Sequence, residues 1–144
     1  MRMTSRTTIS RWVHWTGLFA FTLSLALPAY LTDTNGTPQY HFGFEAFLLG
    51  PVGLFAGHFS WLANPLLFRS WALRTRVNTR QSLFCAGLGL LVALSFEFSK
   101  TIAVGSSGEF TYTPGPGYFV WLLSLLLAAV AAHLYFTSDE YQQA

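Results

Sequence analysis

Three histidines and two glutamates are the residues of this chain able to hold a metal, a haem or a proton within apolar sequence. His14 opens the first apolar run, His58 lies within the second, and His133 sits near the end of the last. Neutral imidazole is a common metal ligand, and haem can be held by imidazoles on facing helices. If the runs cross a membrane in alternation, all three histidines fall in the cytoplasmic half. His14 also shares the Gly17–Ser24 face of its helix, which turns it inward. His14, His58 and His133 are therefore the candidate haem or metal ligands. No spacing among them fixes a ligand geometry, and interfacial hydrogen bonding is the plainer role for each. His41 falls in an outer loop, apart from them. Glu45 begins the second run and Glu97 ends the third, so both lie near the outer boundary as a candidate ion or proton site. Their plainer reading is a solvated Glu45 and an i,i+3 pair between Glu97 and Lys100.

Other reactive patterns are missing from the sequence. It has no phosphate-binding loop, no Gly-x-Ser-x-Gly, no His-Glu-x-x-His and no Asp-rich calcium loop. No catalytic residue is assigned, no resident cofactor is expected, and an enzyme is not the expected class. The single cysteine, Cys85, lies between Phe84 and Ala86 and reads as a small packing residue.

The elements that must position these residues follow from composition. Of 144 residues, 52% are hydrophobic and only 10% charged, against roughly 25% charged in soluble domains. Too little charge is present to cover a water-facing surface, so the lipid bilayer is the expected partner. The net charge of +2 comes from two short basic clusters, which excludes a nucleic-acid-binding tract. A spanning helix needs about 20 mostly apolar residues, and uncharged runs place spans at about 12–32, 44–66, 81–98 and 117–137. The expected fold is all-α: an integral membrane four-helix bundle in a single domain. Seven of the eight Lys and Arg lie before the first run or between the second and third, so the positive-inside rule puts N- and C-termini in the cytoplasm. The first run reads as a retained span, because the stretch Leu25 to Ala29 lacks a small-x-small cleavage site.

The most regular pattern lies in the second run. Ala46, Gly50, Gly53, Gly57, Ser60 and Asn64 recur at spacings of three and four, which on one helix makes a stripe of small residues where another helix packs. Pro51 and Pro65 interrupt the same run, and Pro65 ends or bends the helix. Of the outer segments, residues 32–42 contain turn signals and predict no folded unit. Residues 102–113 read as a short hairpin around Gly105–Gly108.

At Gly53 to Leu67, and at Pro114 to Ser124 with its Pro-Gly-Pro-Gly-Tyr-Phe-Val-Trp entry, the chain resembles small, uncharacterised four-helix proteins of bacterial inner membranes. That resemblance implies a multi-pass location in the bacterial cell inner membrane and no activity, cofactor or catalytic residue. The functional expectation is a non-enzymatic helix-packing component of a homo-oligomer or of a larger membrane complex. Its alternatives are a small channel or transporter using Glu45, Glu97 and Asn64, and a haem- or metal-binding redox protein.

Overall fold

The computed structural model describes residues 5–34, 37–73, 78–98, 101–103 and 109–138. Among them are five α-helices: α1 (Ser5–Ala26), α2 (Gly43–Gly53), α3 (Ala63–Ala72), α4 (Thr79–Phe98) and α5 (Pro116–Phe136). Four strands, β1 (Pro28–Thr34), β2 (Thr37–Phe42), β3 (Thr101–Ala103) and β4 (Glu109–Pro114), form an antiparallel sheet in the order β2-β1-β4-β3. The expectation of an all-α, four-helix membrane bundle is therefore wrong. A sheet is present, and among the described residues only α4 and α5 are long and apolar enough to cross a membrane.

Each departure has a local cause. The second apolar run is four pieces, because α2 gives way to a 3-10 turn at Leu54–Ala56 and then to a second at Phe59–Leu62 before α3 begins. Between the two turns Gly57 adopts φ 83°, a left-handed conformation that reverses the chain and that side chains resist. Pro65 does not end a helix; it lies in the first turn of α3, where its missing N–H has no intrahelical partner to lose. The first run ends at Ala26 because Pro28 disfavours helix at the residue before it. Beyond that point Tyr30, Leu31 and Thr32 are β-formers and pair with β4 opposite Pro114, Thr113 and Tyr112. Residues 32–42, expected to lack structure, supply part of β1 and all of β2, with Thr34 paired to Thr37. The hairpin expected at 102–113 is present as the β3–β4 pairing of Ile102 with Phe110, and its Gly105–Gly108 connection falls outside the described residues.

The helices pack through small residues. Ala63, Ala86, Ala93 and Leu125 are wholly buried, whereas Trp12, Phe19, Phe84 and Leu91 are each more than 60% exposed. That inversion suits helices that associate by close backbone approach. Hydrogen bonds cross the buried seams. Ser10 Oγ donates to the Ala131 carbonyl at 2.7 Å between α1 and α5, and Ser82 Oγ to the Ser70 carbonyl at 2.8 Å between α4 and α3. α1 and α5 lie antiparallel along their full lengths: Arg6 meets the Thr137 carbonyl at one end, and Gly117 approaches Leu27 at the other.

The α1–β1 corner is packed backbone against backbone. A Cβ on Gly117 would fall 2.7 Å from the Leu27 carbonyl oxygen, and Cβ atoms on Gly43 and Gly115 would strike the Ser24 and Pro28 carbonyls. Gly87, by contrast, has nothing within 4 Å of the Cβ position. We expect Gly117→Ala to lower stability by about 1–3 kcal/mol through overpacking. Gly87→Ala should raise it by up to about 1 kcal/mol through helix propensity. Thermal melts of the two variants in detergent check both, and equal shifts would contradict the packing.

Candidate functional site

A cavity of about 700 Å³ opens between α1, the α2-to-α3 segment, the start of α5 and the sheet. That volume lies in the range of small-molecule sites. Its apolar wall includes Phe21, Leu25, Phe47, Leu49, Val52 and Phe55. Asn64, Tyr30, His41, His58 and Ser60 bring polar atoms to it, and no charged side chain lines it among the described residues.

Each polar position has a structural origin. Tyr30 on β1 and His41 on β2 are cross-strand partners. Their rings stack at 4.7 Å with 18° between planes, and His41 Nε2 lies 3.0 Å from Thr32 Oγ1. Trp61 closes one side: its ring occupies the space that any side chain on Gly50 would need, and Nε1 donates to the Phe47 carbonyl at 2.8 Å. This couples the 3-10 turn at Phe59–Leu62 to α2. Deeper in, Trp121 Nε1 donates to Asn64 Oδ1 at 2.9 Å, joining α5 to α3. Tyr118 Oη donates to the Ala93 carbonyl at 3.1 Å, joining α5 to α4.

The residues singled out from sequence fall in three places. Ala46, Gly50, Gly53, Ser60 and Asn64 do come together, but as cavity lining and not as a stripe on one helix. Gly57 forms the left-handed turn. The break between α2 and α3 destroys the helical period that the stripe required.

His58 lines the cavity beside Gly53, on the sheet side of the molecule. His14 lies lower on α1, its ring 6.1 Å from that of Trp71, and His133 is exposed near the far end of α5. The three do not share one half of the fold. Among the described residues no three His, Cys, Asp or Glu side chains are grouped to hold a metal. His41, set apart from sequence, is instead part of the cavity wall.

Glu45 and Glu97 both lie at the sheet end and outside the lining. Glu45 Oε2 accepts from the Phe42 N–H at 3.1 Å and so satisfies a donor at the start of α2. Its charge, after burial, helps push the Tyr30 phenol above its ordinary pKa.

Missed altogether from sequence were Tyr30, Trp61 and Trp121. An Asn-Gly dipeptide between two stretches rich in Tyr, Thr and Phe is a hairpin signal, and it would have found Tyr30 and His41. The tryptophans are set by tertiary contact and carry no comparable local signal.

Tyr112 on β4 donates from Oη to the Phe96 carbonyl, and its ring packs 4.4 Å from that of Phe96. Burial first, and the Glu97 carboxylate second, push the Tyr112 phenol up to about 12. The folded state thus holds this proton more tightly than the unfolded chain, whose phenols titrate near 10. Its stabilising contribution is complete below pH 10 and disappears as pH rises through about 12. Absorbance titration should resolve a late-ionising tyrosine with unfolding across that window. Glu97→Gln should bring the titration down by the smaller share of the shift, and an unchanged titration would remove the carboxylate as a cause. No protein-family profile, curated protein or solved structure matches this chain.

Proposed function

We propose that this chain is a multi-pass protein of a bacterial inner membrane that binds an amphipathic molecule in the cavity beside the sheet. The membrane part rests on α4 and α5, whose spanning windows have mean hydropathies of 1.6 and 2.1 and are only 28% buried within the fold. A core helix of a soluble protein would be mostly covered. Because α1 runs antiparallel along the whole of α5, a membrane that contains α5 contains α1 as well.

The cavity carries the binding part. One wall is α2, an 11-residue helix with no buried residue. Leu49 and Val52 on that wall, and Phe55 in the turn that follows it, are strongly exposed yet also line the cavity, so its apolar side opens outward to where acyl chains would lie. The polar side faces the sheet. An occupant with an apolar body and a small polar head matches both.

Two measurements test the reading. Carbonate extraction at alkaline pH should leave the protein in the membrane fraction. Native mass spectrometry from mild detergent should detect a retained small molecule, which Gly53→Phe should displace. Gly53 is in an ordinary right-handed conformation, and the nearest atom to its Cβ position is His58 Cβ at 3.6 Å, so an added ring enters the cavity without backbone strain. Retention unchanged by Gly53→Phe, in a variant that melts as the parent does, would reject the cavity as the binding site.

A further inference from the structure

The head group that the cavity selects follows from one side chain. Asn64 is only 5% exposed and lines the cavity. An indole N–H can only donate, so the atom facing Trp121 Nε1 at 2.9 Å is the amide oxygen, which leaves Nδ2 and its two hydrogens directed elsewhere. No described residue accepts from them. Three other donors in the lining are already used: Ser24 Oγ by the Phe21 carbonyl, Trp61 Nε1 by the Phe47 carbonyl, and Tyr118 Oη by the Ala93 carbonyl. The amide nitrogen is not sealed off, and a donor without a protein acceptor in an apolar cavity makes the site complementary to an acceptor.

The acceptor's charge is constrained as well. No Lys or Arg lines the cavity among the described residues, and the Glu45 carboxylate acts on Tyr30 in its wall. A phosphate or carboxylate head would be buried with no Lys or Arg to pair it and only the imidazoles of His41 and His58 in the lining. Accepting the cavity as a binding site, we propose that its occupant is an uncharged lipid whose carbonyl oxygen accepts from Asn64 Nδ2. That chemistry belongs both to the ester of an acylglycerol and to the ring ketone of a prenylated quinone, and the wall of Leu49, Val52 and Phe55 would take the chain of either.

Calorimetry on the full chain in detergent, with dioctanoylglycerol, a decyl-substituted benzoquinone and dioctanoyl phosphatidic acid as probes, tests this. At least one neutral probe should bind about tenfold or more tightly than phosphatidic acid, and the one that does so identifies the ester or the ketone. Replacing both hydrogen-bond partners by apolar residues limits the folding penalty. The variant Asn64→Leu/Trp121→Phe is therefore compared with Trp121→Phe alone, and it should bind that probe about tenfold more weakly. Independently of any variant, a ¹³C-labelled carbonyl on the probe should shift to lower infrared frequency on binding the wild-type chain. Phosphatidic acid binding as well as the neutral probes, an affinity indifferent to Asn64, or an unshifted carbonyl band would each overturn the proposal while leaving a cavity that binds something. Binding of none of the three would overturn the cavity reading itself.

Discussion

The turn from α1 into β1 is the constraint on which the rest of the molecule depends. The backbone from Ser24 to Ala29 is approached by Gly43 at the head of α2 and by Gly115 and Gly117 at the head of α5. Two hydrogen bonds fasten it, from the Gly43 N–H to the Leu27 carbonyl at 2.9 Å and from the Gly115 N–H to the Ala29 carbonyl at 2.8 Å. These contacts decide three things together. They align α1 antiparallel to α5, hold the middle of the sheet over the helix ends, and start α2 beside α1. The cavity lies between α1 and α2 beyond that start.

Polar atoms inside this fold serve mainly as joints. Ser10, Ser70, Ser82, Asn64 and Tyr118 are all nearly inaccessible, and each is hydrogen-bonded to a partner on another helix. Where hydrophobic expulsion contributes little between helices, such bonds and the close approach of small residues set the register. The aromatic cluster of Phe21, Phe47, Phe68 and Trp71 fills the remaining width, with edge-on or tilted ring pairs about 5–6 Å apart.

How much of this was legible in the sequence depends on the range of the signal. The helical runs around Leu83–Phe96 and Tyr118–Phe136 are visible because apolar length alone specifies them. Smallness at Ala46, Gly50, Gly53, Ser60 and Asn64 was visible too, but its meaning was not. A spacing of three and four implies a stripe only while the helix continues, and the positive φ at Gly57 is a property of the fold. Likewise the β1–β2 hairpin was hidden by Pro28, Ala29, Tyr30 and Leu31, which extend an apolar run without a charge. For the site, the sequence marks Asn64 as a weakly polar member of the stripe and as a polar group for a channel path, and its role as a donor emerges only when Trp121, 57 residues away, takes its oxygen.

The contrast between a small interior and a bulky exterior sets a ceiling on residue size that runs opposite to the usual pattern. Positions such as Gly17, where a Cβ would come within 3.3 Å of Leu127 Cβ, and the wholly buried Ala63, Ala86 and Ala93 admit almost nothing larger. Phe19, Phe84 and Leu91 face outward, and any apolar side chain serves there. As such a chain diverges, its closely packed Gly, Ala and Ser residues would stay fixed while its outward-facing Phe and Leu residues exchange freely. Similarity scores that reward matched large hydrophobic residues would then lose the lineage early, whereas the positions of its smallest residues would still trace it.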